Sequence, residues 1–127
     1  MKRKATCHCG AATLTVAAAP TEVTACNCSL CTKYGVLWAY YPASDLVLPD
    51  TSLTDTYAWN GKHVDFHRCR NCGCVTHWFP CDVKRDRRGI NARLLPPSVL
   101  LKAKVIPRDG ASVGKSASKS SGKKRTT

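Results

Sequence analysis

Eight of the nine cysteines in this 127-residue chain fall into three short clusters, and that grouping constrains the fold more than any other feature. The clusters are Cys7-His-Cys9-Gly10, Cys26-Asn-Cys28-Ser-Leu-Cys31 and Cys69-Arg-Asn-Cys72-Gly73-Cys74, with Cys81 standing apart. A Cys-x-x-Cys turn brings two thiolates to about 2.3 Å from one zinc ion. Glycine after the second cysteine, as at Gly10 and Gly73, lets the backbone turn back without a Cβ clash. A closed disulfide framework fits poorly with an odd number of cysteines. No thioredoxin-like βαβ pattern surrounds any cluster, which argues against a redox dithiol. The clusters therefore read as metal ligands.

Spacing alone leaves open which clusters share an ion. Two pairs can form one closed four-sulfur site, for instance Cys7 and Cys9 with Cys69 and Cys72. The middle cluster then offers three sulfurs from six consecutive residues. Four protein ligands make a structural site, whereas three with a vacant fourth position make a reactive one.

Around the cysteines the chain reads as strands broken by turns, a mostly β class with short antiparallel strands. Residues 11–16 alternate, with Leu14 and Val16 on one face and Thr13 and Thr15 on the other. Residues 34–41 form an aromatic and β-branched run, expected to be a strand buried on both faces. Residues 46–48 make a short strand before Pro49. Residues 53–59 and 62–68 flank Asn60-Gly61, a pair that tolerates positive φ and predicts a two-residue hairpin turn. Residues 75–79 and 90–95 are further strands, and a short helical turn is expected over 97–102. Trp38, Trp59 and Trp78 lie in alternating strands and read as core. The four histidines read as surface or partner-satisfied groups, although His67 and His77 flank the third cluster and could support a ligand from behind.

Composition divides the chain into three parts. Residues 1–4 are a basic end, 5–106 the folded domain, and 107–127 a Ser-, Gly- and Lys-rich tail without Leu, Ile, Phe, Tyr or Trp. Of the formal charge of +12, three units sit on the basic end and a net five on the tail, which leaves +4 on the body. A mildly basic body suits a small anionic ligand as well as it suits nucleic acid. No apolar segment follows the basic start, so a secretory signal is not expected, and no run approaches a membrane span. The chain is expected to be cytoplasmic, where thiols stay reduced.

In order, Cys7-x-Cys9-Gly10, Cys26-Asn-Cys28-Ser-x-Cys31-x-Lys33, Cys69-x-x-Cys72-Gly73 and Gly89-Ile-Asn-Ala-Arg-Leu-Leu95 resemble the glutathione-dependent formaldehyde-activating enzyme family, which also includes centromere protein V. One departure is Arg68, where an aromatic often precedes the Cys-x-x-Cys. The resemblance implies an Mss4-like fold of antiparallel sheets around zinc-thiolate sites. It also implies two zinc ions, a structural one on Cys7, Cys9, Cys69 and Cys72 and a catalytic one on Cys26, Cys28 and Cys31. The implied reaction joins glutathione to formaldehyde as S-hydroxymethylglutathione, carbon–sulfur lyase chemistry run in reverse. Because glutathione carries two carboxylates, Lys33 and Arg93 are the expected substrate-binding cations, with Asn91 as a hydrogen-bonding partner. Cys74 is a spare thiol that could approach the open site, and Cys81 reads as free. Two other readings compete: a zinc-scaffolded module binding nucleic acid or chromatin through its basic tail, and a binding module without chemistry.

Overall fold

The computed structural model describes residues 2–59, 64–81 and 84–111. The alternation around Leu14 produces the smaller of two sheets. Strand β1 (Arg3–Thr6) pairs antiparallel with β2 (Thr13–Val16), which pairs in turn with β5 (Leu46–Val47). Ala5 sits opposite Leu14, and Ala5, Leu14 and Val16 are fully buried, while the intervening threonines are not. Arg3 and Lys4 belong to β1, so the sheet begins two residues before the domain start drawn from composition.

The larger sheet has seven strands in the order β10-β3-β4-β9-β8-β7-β6. They are β3 (Glu22–Cys26), β4 (Trp38–Pro42), β6 (Thr54–Trp59), β7 (Val64–Cys69), β8 (Val75–Pro80), β9 (Arg87–Asn91) and β10 (Lys104–Arg108). Every pairing is antiparallel except that of β10 with β3, which is parallel. Composition placed residues 107–111 with the tail, yet β10 carries the sheet to Arg108. The described residues also form two six-residue α-helices, α1 (Ser29–Tyr34) and α2 (Pro97–Lys102), the latter with proline at its first position, and three 3-10 turns. Neither helix is long and apolar enough to cross a membrane.

Strand β4 explains how the molecule is layered. Ala39 points into one apolar cluster with Ala5, Leu14, Val16, Val23 and Ile90, which joins the two sheets. Trp38 points the other way, into a second cluster with Phe66, Trp78, Val36, Cys28 and Cys31. The strand is thus buried on both faces as its composition predicts, but it starts at Trp38 and not at Tyr34. Residues 29–34 are helical because the Cys28 sulfur caps α1 and Gly35, at φ 66°, ends it. The strand expected over 90–95 likewise stops at Asn91, whose side chain accepts from the Arg93 amide and starts a 3-10 turn over Ala92–Leu94.

The Asn60-Gly61 turn and His63 lie outside the described residues. The flanking register pairs Trp59 with Val64, whereas a two-residue turn at Asn60-Gly61 would pair Trp59 with Lys62.

Candidate metal centres

All nine cysteines are free thiols. Seven of them form two groups in which the sulfurs lie within 4.8 Å of one another: Cys7, Cys9, Cys69 and Cys72 in one, and Cys26, Cys28 and Cys31 in the other. The first group stands where β1 leaves the small sheet and β7 turns into β8, so it ties the two sheets together. Both turns are built on glycine in the left-handed region, Gly10 at φ 86° and Gly73 at φ 82°, with Gly10 N donating to Cys7 O and Gly73 N to Cys69 O. The Cys7–Cys9 and Cys9–Cys69 sulfur separations are both 3.6 Å. Tetrahedral zinc with bonds of about 2.3 Å spaces its sulfurs by about 3.8 Å, so the cage matches that ion. Backbone amides already point at the ligands, Ala12 N at Cys7 Sγ (3.2 Å) and Ala11 N at Cys9 Sγ (3.4 Å). Hydrogen bonds from the amides of Cys74 and Cys9 hold Cys72 down at about 5, while burial pushes Cys7 up to about 11. One cage thus mixes sulfurs that ionise readily with one that does not, a conflict that a bound cation resolves.

The second group is built differently. Cys26 ends β3, Cys28 caps α1 with its sulfur 3.3 Å from Cys31 N, and Cys31 sits one turn into the helix. The indole N–H of Trp38 donates to Cys31 Sγ at 3.2 Å. Cys28 and Cys31 are buried, and Cys26 is half-buried. Hydrogen bonds from the Cys28 and Cys31 thiols hold Cys26 well below the usual thiol range. Its neighbours' sulfurs and burial push Cys31 up. Three sulfurs converge here, and among the described residues no fourth His, Cys, Asp or Glu joins them.

Cys74 lies beside the four-sulfur group, packed with Cys7, Cys69 and Cys72, and so does not approach the three-sulfur group. Lys33 is exposed on the last turn of α1. Asn91 is buried, with its amide engaged by Val75 O (2.9 Å) and Arg93 N (3.1 Å). Arg93 Nε donates to Gly35 O and so braces the end of the helix that carries Cys28 and Cys31. His67 and His77 stack on each other with ring centroids 4.2 Å apart and bond Thr54 and Thr76, not a cysteine.

Sequence reasoning missed three contributors to the three-sulfur site. Trp38 read as core, although its indole N–H bonds a ligand. Asn27 is named there only as part of the motif and given no role, yet its side chain binds Asp109 Oδ1 (3.1 Å) and the Ala111 amide (2.8 Å). Gly110 lies against Cys26, where a Cβ would collide with the sulfur. The last two depend on the parallel β10–β3 pairing, for which the sequence carries no periodic signal.

Residues 2–106 match the model of a family described as glutathione-dependent formaldehyde-activating enzyme. Among solved structures, the crystal structure of a Rhodobacter sphaeroides protein is similar, with a TM-score of 0.64 and 26% identity. That match covers 84% of this chain and 100% of the other. The comparison with curated proteins found no match.

Proposed function

This chain belongs to the glutathione-dependent formaldehyde-activating enzyme family, and from that membership we propose that it makes or breaks a carbon–sulfur bond between glutathione and an aldehyde at the three-sulfur site. The observation that carries the reading is the difference between the two cysteine groups, one offering four sulfurs and the other three. A zinc ion on three thiolates would keep a fourth position for an incoming thiol, lower that thiol's pKa and fix its sulfur.

The chain's own residues account for the rest. Cys26, Cys28 and Cys31 supply the ligands, and the Trp38 indole and the Cys31 amide orient two of them. Phe66, Trp78 and Val36 form an apolar wall behind the sulfurs that limits water. The bound thiol sulfur attacks the aldehyde carbon, the C=O π electrons move to oxygen, and the proton lost from sulfur ends on that oxygen. The product is a hemithioacetal, S-hydroxymethylglutathione where the aldehyde is formaldehyde. Cys7, Cys9, Cys69 and Cys72 would hold a second zinc, whose role would be structural.

Cys28→Ser and Cys31→Ser, assayed with 13C-formaldehyde and glutathione by NMR exchange, should lose activity and retain the circular dichroism of the parent. Cys69→Ser and Cys72→Ser should unfold. Equal unfolding of all four variants would sink the division into catalytic and structural sites. Native mass spectrometry should count two zinc ions.

A further inference from the structure

Besides Lys33 and Arg93, the cations expected to hold the substrate's carboxylates, the fold sets another basic residue beside Cys26. In the parallel pairing of β10 with β3, Arg108 is the register partner of Cys26. Partners across a sheet project from the same face, so the Arg108 side chain leaves the strand alongside the Cys26 sulfur. A clamp fixes this placement. Asn27 N donates to Arg108 O (3.1 Å), Asn27 Nδ2 to Asp109 Oδ1, and Ala111 N to Asn27 Oδ1, while Gly110 closes over Cys26.

A second cation shares the face. Tyr40 packs into the same apolar cluster as Cys26, and the Arg87 guanidinium carbon lies 3.8 Å from the centroid of its ring. That stacking holds Arg87 near the surface and leaves its N–H groups for an anion. Both arginines are exposed. Arg108, Asp109 and Ala111 lie beyond residue 106, where the family match ends, whereas Asn27 and Arg87 lie within it.

We propose that Arg108 and Arg87 are the carboxylate-recognising residues of the three-sulfur site, with Asn27 as the positioning residue that holds Arg108 beside Cys26. This rests on the reading that a thiol binds at that site, and it specifies the ligand: a thiol bearing carboxylates on its flanks. Tyr40 and Trp78, 6.1 Å apart in an edge contact, pack in the same apolar cluster as the three cysteines.

The test uses the full chain loaded with cobalt(II), whose thiolate charge-transfer band reports a sulfur entering the coordination sphere. Glutathione and its diethyl ester, the same thiol with both carboxylates masked, are titrated in parallel. The parent protein should bind glutathione at least tenfold more tightly, with the difference shrinking as salt rises. Arg108→Gln and Arg87→Gln should each weaken glutathione roughly five- to tenfold and leave the ester and the cobalt content unchanged. Asn27→Ala should lose part of the Arg108 effect and add nothing to Arg108→Gln, which a merely structural asparagine would not do. Equal affinity of the parent for thiol and ester would overturn the assignment while leaving thiol binding intact, as would an Arg108→Gln loss shared by both. If neither thiol perturbs the cobalt band, thiol binding at the three-sulfur site is itself wrong and the assignment goes with it.

Discussion

Trp38 shows how one atom can separate packing from chemistry. Its ring is 2% exposed and fills the cluster beneath the three sulfurs, while its N–H donates to Cys31 Sγ. Hydrogen bonds to a thiolate spread its charge and fix its direction, and losing a group that supports a ligand typically lowers metal affinity 10–100-fold. Trp38→Phe should therefore weaken metal binding at the three-sulfur site by at least about tenfold in a competition with a chromophoric chelator. The four-sulfur site, on the far side of β8, should keep its affinity. Equal weakening at both would indicate a general loss of packing. His77 makes a different residue-scale statement. Burial, helped by the neighbouring His67, pushes its pKa down to about 3. A histidine whose folded pKa lies below its unfolded value of about 6.5 leaves the unfolded chain holding more protons between those two values. Stability is then fully present above pH 6.5 and declines as pH falls towards 3, by at most about 1.4 kcal/mol per pH unit for this one group. Urea unfolding of the parent and of His77→Gln over pH 7 to 5.5 should show the steeper loss in the parent, because thiolate protonation contributes to both. Parallel pH profiles would refute this.

At the scale of elements, α1 is short, and its stability comes from its ends. Cys28 caps one end with its sulfur, and Gly35 closes the other in the left-handed region, donating to Cys31 O and Thr32 O. Arg93, in the 3-10 turn after β9, then donates to Gly35 O. Gly35→Ala leaves ample space for the new Cβ, so its effect is conformational, about 1–2 kcal/mol for a non-glycine residue in that region. Because the Gly35 amide closes this turn onto the Cys31 carbonyl, the same substitution should loosen the three-sulfur group. Faster zinc transfer to a chelator, with the four-sulfur zinc unaffected, is the expected result. These elements were unevenly legible in the sequence. The β2 alternation and the β6 and β8 strands could be read, since their faces differ in polarity. The cysteine grouping was legible only in part: spacing left open which clusters come together, the family resemblance implied the division, and the fold sets the sulfurs in those two groups. Helix α1 could not be read: residues 34–37 look like strand, and the cap that overrides them is a cysteine, which sequence reasoning assigns to metal. Strand β10 was hidden for another reason. A five-residue edge strand, exposed along most of its length and paired in parallel, has no alternation of its own, and its partner β3 lies about 80 residues earlier.

The whole molecule is two sheets joined twice, once by apolar packing and once by sulfur. Ala5, Leu14 and Val16 of the small sheet meet Val23, Ala39 and Ile90 of the large one. At the end of that interface Cys7 and Cys9 reach across to Cys69 and Cys72. A domain of about a hundred residues has limited core to spare, and a closed zinc site contributes folding energy directly. The three-sulfur group lies wholly within the large sheet and its helix, so an ion bound there would join nothing that β3 and α1 do not already hold. Metal removal should therefore proceed in two separable steps. Titration with a chelator should first extract one zinc with little change in far-ultraviolet circular dichroism, and excess thiol should alter this step because it competes for the same ion. The second zinc should leave only at higher chelator concentration or temperature, and its loss should coincide with cooperative unfolding and a fall in melting temperature of tens of degrees. Ser replacement at Cys7 should merge the two steps into early unfolding, whereas replacement at Cys26 should delete the first step and leave the second in place. Loss of both ions in one transition would mean that the two sites are energetically a single unit, and that the division of labour between cage and open cluster does not hold.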